Sequence, residues 1–340
     1  SDVVAHSAGI LDIKTNILPN ADALFLTAID SYGHELWRWT FPVNQLNQQT
    51  EQLSPLSSRP TYTETENDLT VKANKRTFIF SKKDGQLKGV SVDNRKINFA
   101  NGPRFIGARR ADRSLDQFYN HDDEKAKEKD RTYSEFPDAA VFTKLDVKED
   151  GGNLVVTANY KLGNLDKAQW TINPSGELAL DYTYNFSGVV DLMGIRFDYP
   201  EDQVISKRWL GAGPYRVWQN RIHGTQYDVW ENDYNDPIPG ETFTYPEFKG
   251  YFGDVSWMNI QTKEGTISLT NETPDAYIGV YQPRDGRDRL LYTLPESGIS
   301  VLNVIPPVRN KVNSTDLCGP SSQLKWVNGP QTGRVIFRFM

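Results

Sequence analysis

Short apolar runs separated by turn residues recur from about residue 67 onward, and this repetition constrains the fold more than any other feature. Asp84-Gly85, Asp93-Asn94 and Pro174-Ser175-Gly176 each follow such a run. These residues adopt the backbone angles of tight turns, so each arrangement predicts a β-hairpin. The principal runs occupy residues 77–81, 87–92, 154–160, 169–172, 178–184, 266–270, 277–281, 299–305 and 334–339. Many short strands with a turn roughly every ten residues indicate a large antiparallel β sandwich.

Chain length and aromatic content support the same fold class. A chain of 340 residues can bury a sizeable core, and 12% aromatic residues with many glycines and prolines favour strands and turns over helices. We expect one large β domain over residues 58–340, and a small β segment with the start of a linker over residues 1–57. Residues 44–62, rich in Gln, Ser, Pro and Thr, are typical of a linker. Trp37 and Trp39 alternate, which predicts both indoles on one strand face. The segment has only two or three strands, too few to be stable alone.

The charge balance argues against several classes of partner. A net charge of -6 and a pI near 5.4 are unfavourable for nucleic acid or an anionic membrane as the main partner. No run of about eighteen apolar residues occurs, so no membrane span is expected. Cys318 is the only cysteine, which rules out an internal disulfide and leaves the compartment open. An extracytoplasmic location is favoured over the cytoplasm, and no cofactor is expected.

The stretch from Trp209 to Trp257 holds four of the eight tryptophans, interleaved with arginines and carboxylates. A sugar has apolar C–H faces and polar hydroxyl edges, so aromatic faces beside hydrogen-bonding groups suit a saccharide site. Large aromatics are also commonly buried, and the alternative interpretation of this stretch is core packing. The predicted sugar-contacting residues are Arg216, Trp218, Arg221, Trp230, Tyr234 and Glu247.

Part of this stretch resembles a known family. Leu210-Gly211-Ala212-Gly213-Pro214 and the downstream Asn220-Arg221 resemble a motif in the last domain of family 2 glycoside hydrolases of the β-galactosidase type. Asn220 stands where the family has aspartate, which removes a negative charge beside Arg221. We expect the glycines and the proline to shape a tight turn. Further segments resemble the family in the same order, namely residues 28–39, 78–87 and 101–104.

The resemblance implies a galactose-mutarotase-like supersandwich preceded by part of an immunoglobulin-like domain. It implies a parent enzyme that hydrolyses terminal β-galactosides, or related β-glycosides, with retention through a glycosyl-enzyme intermediate. The family's catalytic barrel lies upstream of these domains, so no catalytic residue is expected in this chain. The implied partners are a saccharide (a galactoside or related glycan) and the catalytic barrel of the parent polypeptide. The chain is then a non-catalytic accessory domain. The alternatives are a stand-alone carbohydrate-binding protein and a purely structural or interaction domain.

Other chemistries have only partial patterns. Asn271-Glu272 has the order of the family's acid/base glutamate, but no alternating β/α pattern surrounds it, so we interpret it as coincidence. Mutarotase chemistry needs paired acid and base groups, and His223 alone follows the motif. Residues 231–236 place hard oxygen ligands together, yet Asn, Asp and Pro are turn residues, and no metal is expected. The charge run of residues 121–131 is typical of a solvated helix or loop.

Overall fold

A computed structural model describes residues 6–10, 12, 21, 23–42, 58–110, 133–233, 250–280, 294–307 and 324–340. The chain divides into two compact units, residues 1–50 and residues 51–340. Regular structure in the described part is almost entirely β-strand, and its one helical element is a 3-10 turn at Glu201–Gln203. No helix in those ranges is long and apolar enough to cross a membrane. The all-β prediction is confirmed.

The described strands of the first unit form a two-stranded antiparallel ribbon, β1 (Ala23–Ile29) and β2 (Glu35–Pro42). Asp30 shapes the turn between them. Its carboxylate accepts the backbone N–H groups of Tyr32 and His34 at 2.8 Å each. An aspartate that binds the backbone two residues ahead is a typical turn former, so this ribbon is specified locally.

One face of the ribbon is apolar and open to solvent. Its members, which we call the apolar ribbon face, are Leu24, Leu26, Ala28, Trp37, Trp39 and Phe41. Trp37 and Trp39 lie on the same face, as their spacing predicts. Trp37 is 52% exposed and Trp39 is 44% exposed. A two-stranded ribbon cannot bury such side chains by itself.

The second unit is built from many short strands. In chain order they are β3 (Thr61–Glu64), β4 (Asp68–Ala73), β5 (Arg76–Ser81), β6 (Leu87–Val92), β7 (Arg95–Ile97), β8 (Ala100–Arg110), β9 (Tyr133–Glu135), β10 (Val141–Asp150), β11 (Asn153–Lys161), β12 (Leu165–Ile172), β13 (Leu178–Val190), β14 (Leu192–Asp198), β15 (Val204–Gly213), β16 (Gln226–Asp233), β17 (Trp257–Thr262), β18 (Gly265–Asn271), β19 (Tyr277–Gly279), β20 (Ile299–Val304) and β21 (Lys325–Phe339). The hairpins predicted at Asp84-Gly85 and Asp93-Asn94 join β5 to β6 and β6 to β7. Strand β3 begins inside the stretch expected to be linker, because it pairs with β4.

These strands form two large antiparallel sheets. One has nine strands in the order β10-β11-β12-β13-β21-β18-β17-β15-β16. The other has ten, with the path β19-β20-β14-β8-β6-β5-β4-β3; β7 pairs with β6 and β9 pairs with β8. The long ladder between β13 and β21 runs from Leu178 opposite Phe337 to Val190 opposite Lys325. The predicted large antiparallel sandwich is confirmed.

The main core contains side chains from both sheets. Phe99, Phe197 and Phe337 are completely buried and meet at its centre. Their ring centroids lie 4.7 to 5.4 Å apart, in one stacked, one tilted and one edge-on contact. Aromatic rings in such contacts stabilise a core beyond the area that they bury.

A second apolar cluster lies on the opposite face of the ten-stranded sheet. On β14, Met193 belongs to the main core while Leu192 belongs to this second cluster, because successive strand residues point to opposite faces. The second cluster contains Ile106, Ala108, Tyr133, Leu192, Val217, Trp218, Tyr251, Leu294, Leu302 and Ile305. The segment after β15 therefore packs on the outer face of the ten-stranded sheet.

Candidate functional site

The two glycines of the Leu-Gly-Ala-Gly-Pro motif lie within β15 and allow close approach of neighbouring chain. A Cβ at Gly211 would lie 3.0 Å from the backbone oxygen of Gly253, and a Cβ at Gly213 would lie 2.4 Å from the Trp230 ring. Trp230 donates its Nε1–H to the carbonyl of Gln226 at 3.1 Å. Gly213 thus leaves room for the Trp230 ring on the edge strand β16, and Gly211 leaves room for the backbone of Gly253 and Asp254. Both glycines lie within a strand rather than in a turn as expected.

The Asn-Arg half of the motif forms a tight turn at residues 218–221. The Trp218 N–H donates to the carbonyl of Arg221 at 3.2 Å, and the Arg221 N–H donates to the carbonyl of Trp218 at 2.8 Å. Gln219 and Asn220 form the corner, and the Gln219 N–H donates to the carbonyl of Pro306 at 3.0 Å. Asparagine is a favourable corner residue. The backbone of the turn therefore forms without the aspartate that the family has at this position.

Arg216 and Trp218 lie inside the protein, each 1% exposed. The Trp218 ring packs edge-on against Tyr251, with centroids 5.7 Å apart and planes at 82°. The Arg216 guanidinium lies 6.0 Å from the centroid of the Phe252 ring. Burial raises the pKa of the Tyr251 phenol, so this group stays neutral. In this structure Trp218 fills the second apolar cluster, and neither face of its ring is open to a ligand.

Of the other predicted sugar-contacting residues, Arg221 and Trp230 are half-buried. Trp230 is paired directly with the buried Trp209 of β15, so its ring leans on the edge of the nine-stranded sheet. Tyr234 and Glu247 lie outside the described residues. The structure therefore places Trp218 and Arg221 in one turn, and it places Trp230 on β16, the strand that follows this turn.

Asn271 and Glu272 have partners that stabilise the fold. The Asn271 amide donates to the carbonyl of Thr273 at 3.2 Å. Glu272 forms an ion pair with Arg334 at 2.9 Å, and Arg334 also contacts Asp181 at 2.5 Å. The two carboxylates and the arginine line a polar cleft of about 380 Å³ on the outer face of the nine-stranded sheet. In this structure Glu272 is part of an ion-pair network.

The histidines and the acidic stretch are not assembled into a catalytic or metal cluster in the part of the chain that the structure describes. His223 is exposed, and His34 is an exposed residue of the ribbon turn, 3.1 Å from Asp30. Residues 231–233 are the end of β16 rather than a turn, and residues 121–131 and 234–236 lie outside the described ranges. Within those ranges no group of three His, Cys, Asp or Glu residues is placed to hold a metal ion.

A polar cleft of about 460 Å³, which was not predicted from the sequence, lies where β7, β8 and β14 meet the chain before β20. Its charged and amide lining residues are Lys88, Lys96, Asn98, Asn101, Arg196, Asp198 and Glu296. One signal was present in the sequence. Arg196 and Asp198 alternate with apolar residues on β14, a pattern that indicates polar groups on one face of the strand. The described residues of the predicted sugar site line neither cleft.

Three of the solved structures to which the chain is similar have very different sequences. The chain is similar to galactose 1-epimerase from Lactobacillus acidophilus NCFM, with 8% identity, a TM-score of 0.41, and coverage of 83% of this chain and 99% of that chain. It is similar to a GalM/aldose epimerase homologue from C. elegans, with 8% identity, a TM-score of 0.39 and the same coverage. It is also similar to a copper-containing benzylamine oxidase from Hansenula polymorpha, with 8% identity, a TM-score of 0.34, and coverage of 93% and 68%. No curated protein sequence gives a match.

The comparison with protein families gives a match over most of the second unit. Residues 72–302, more than half of the chain, match the family described as beta galactosidase small chain. The matched span begins within β4, ends within β20 and includes the Leu-Gly-Ala-Gly-Pro motif. This match confirms the resemblance to the C-terminal part of β-galactosidase-type proteins. The chain belongs to the beta galactosidase small chain family.

Proposed function

We propose that this chain is a non-catalytic accessory domain that contacts carbohydrate in a family 2 glycoside hydrolase. The proposed parent enzyme is a retaining β-galactosidase that acts on terminal β-galactosides. The family match over residues 72–302 is the observation that supports the proposal. The saccharide and the catalytic barrel of the parent polypeptide are the proposed partners. In this arrangement the acid/base and the nucleophilic carboxylates of a retaining glycosidase both come from the barrel.

The proposed sugar contact is the outer part of the β15–β16 hairpin. Trp230 offers a half-buried indole on an edge strand, and Arg221 offers guanidinium donors at the end of the neighbouring turn. An apolar ring beside planar donors matches the C–H faces and hydroxyl edges of a pyranose. Tyr234 and Glu247 follow Trp230 along the chain and are proposed to extend this surface. Arg216 and Trp218 are buried and are proposed to contribute indirectly, by fixing the position of the turn that carries Arg221.

Titration calorimetry with a β-galactoside tests the contact. We expect Trp230→Ala to weaken binding at least about tenfold, equivalent to about 1.4 kcal/mol, because the stacking face is lost. Trp326→Ala is the matched control, since Trp326 is a 72% exposed tryptophan on β21, away from the motif. Binding that is equally affected by both substitutions, or by neither, would exclude this surface.

The non-catalytic assignment has its own test. We expect the purified chain to release no product from an aryl β-galactoside, because both carboxyl groups that a retaining glycosidase needs are proposed to come from the barrel. Hydrolysis that is abolished in Glu272→Gln would show that this chain carries a catalytic carboxylate, and the assignment would be wrong.

A stand-alone carbohydrate-binding protein is the second candidate function. The two polar clefts of about 460 and 380 Å³ favour it, because volumes of this order suit small-molecule sites. The size of the native polypeptide distinguishes the two. An immunoblot band far above 38.6 kDa supports the accessory domain, with residues 1–57 as the end of an immunoglobulin-like domain, and a band at 38.6 kDa supports the stand-alone protein. A purely structural domain predicts no saccharide affinity in either case.

A further inference from the structure

The 460 Å³ cleft beside β14 has the side chains to bind an acidic sugar. We propose that it binds a uronic acid residue, whose carboxylate pairs with Arg196 and Lys96 and whose hydroxyls bind Asn98, Asp198 and Glu296. The sugar part of this inference rests on the proposed carbohydrate-contacting function. The anion part rests on the charges and contacts of the cleft itself.

Arg196 is the central cation of the cleft. It lies directly opposite Arg104 on the paired strands β14 and β8, so both guanidinium groups extend from the same face of the sheet. Arg104 is paired with Asp198, which also accepts the Asn101 amide at 2.9 Å. Arg196 donates to the backbone carbonyl of Glu296, and its Nε has no hydrogen-bond partner among the described residues. One of the two arginines therefore lacks a paired carboxylate within the described ranges.

The charge of Arg196 is incompletely compensated by its surroundings. Burial and the neighbouring Arg104 lower the pKa of Arg196, and the carboxylates of Asp198, Glu135 and Asp138 raise it without offsetting this. A bound carboxylate would supply the missing negative charge and form two charge-assisted hydrogen bonds with the guanidinium.

The walls of the cleft add two lysines and a rigid frame. Lys88 is paired with Asp68 at 2.9 Å. Lys96 is exposed on β7 and makes no ion pair within the described part of the chain. Glu264 fixes Asn98 by accepting both its backbone N–H, at 3.0 Å, and its side-chain amide. Gly298, at φ 52°, closes the opposite wall, where a Cβ would lie 2.1 Å from the carbonyl oxygen of Phe197. Groups that are already fixed lose little entropy when a ligand binds.

The other lining groups match hydroxyls rather than a second anion. Asn98 and Asn101 carry amides, which both donate and accept, and the carboxylates of Asp198 and Glu296 accept from hydroxyl groups. A simple anion would use the cations and leave these groups unused. A neutral hexose would leave Arg196 without its carboxylate partner. A uronic acid has a carboxylate and hydroxyls on one ring, and this combination uses both kinds of group.

Titration of the full chain with galacturonate and galactose tests the inference. We expect galacturonate to bind at least about tenfold more tightly than galactose, with an affinity that falls as the ionic strength is raised to about 0.5 M. Arg196→Gln should weaken galacturonate binding about tenfold or more. Lys96→Gln should weaken it about threefold at an unchanged melting temperature, because Lys96 is exposed and lies outside the core. Lys148→Gln, at an exposed position on β10, is the matched control and should bind like the unmodified chain.

The outcomes separate this inference from the proposed function. Absence of galacturonate binding, or binding that Arg196→Gln and Lys96→Gln both leave unchanged, would overturn it. If inorganic sulfate competes with equal affinity, the cleft binds an anion without recognising the sugar hydroxyls. This result would also overturn the uronic acid proposal. Trp230→Ala should leave galacturonate binding intact while weakening the β-galactoside, so failure of one site is visible independently of the other.

Discussion

Gly213 is the residue of the Leu-Gly-Ala-Gly-Pro motif whose missing side chain leaves room for the Trp230 ring. The indole of Trp230 occupies the space where any larger residue at position 213 would place its Cβ. We predict that Gly213→Ala destabilises the chain by about 1–3 kcal/mol, because the added methyl overpacks the site and displaces the ring. Urea unfolding followed by tryptophan fluorescence measures this change.

Gly89→Ala is the control for that substitution. Gly89 lies in β6 with no atom within 4 Å of the added Cβ, so we expect its effect on stability to stay within about 0.5 kcal/mol. Equal destabilisation by both variants would mean that the loss of free energy of unfolding comes from replacing a glycine, and not from the contact with Trp230.

At the scale of elements, the ribbon of β1 and β2 carries several of the large apolar side chains that are exposed to solvent in the described part of the chain. Trp37 and Trp39 lie on the apolar ribbon face, while Phe25 lies on the opposite face beside Arg38. Contiguous exposed apolar surface promotes association. We predict that the isolated chain self-associates at micromolar concentration, and that Trp39→Ser shifts the sedimentation profile toward the monomer.

The matched control for the ribbon is Phe25→Ser, which removes a similarly exposed aromatic ring from the other face. It should leave association largely unchanged. If Phe25→Ser disperses the chain as well as Trp39→Ser does, association depends on general hydrophobicity and not on the apolar ribbon face.

At the scale of the whole molecule, buried phenols make the fold sensitive to alkali. Burial raises the pKa of Tyr182 to about 12, and burial also raises the pKa values of Tyr160, Tyr184 and Tyr251. The folded pKa lies above the unfolded value near 10, so the stabilisation is complete below pH 10 and is lost as the pH rises toward 12. At pH 11 each such tyrosine should lower the free energy of unfolding by about 1.4 kcal/mol.

Denaturant midpoints between pH 8 and pH 11, with phenolate absorbance recorded in parallel, measure this loss. Tyr182→Phe should reduce the fall in stability between these pH values, whereas Tyr62→Phe, at an exposed position on β3, should not. Phenolate absorbance that reaches its full value while the protein remains folded would contradict the prediction.

Local sequence was sufficient to predict the hairpins and the strand class. Asp84-Gly85 and Asp93-Asn94 produce their turns because the required backbone angles depend on the turn residues themselves. The same applies to the shared face of Trp37 and Trp39, which follows from the two-residue period of a strand. The resemblance to β-galactosidase-type proteins could likewise be detected from the sequence, because the motif residues are nearly consecutive in the chain.

The location of each side chain relative to solvent depended on contacts that are distant in sequence. Trp218 was predicted to stack on a sugar, but Tyr251 and the outer face of the ten-stranded sheet enclose it. The polar cleft needs Lys96, Arg196 and Glu296 to meet, and no local pattern relates these positions. The sequence by itself determined the β class, the hairpins and the family. Tertiary structure decided which aromatic residues are buried and where charged groups converge, because strand pairing between remote segments determines which faces are covered.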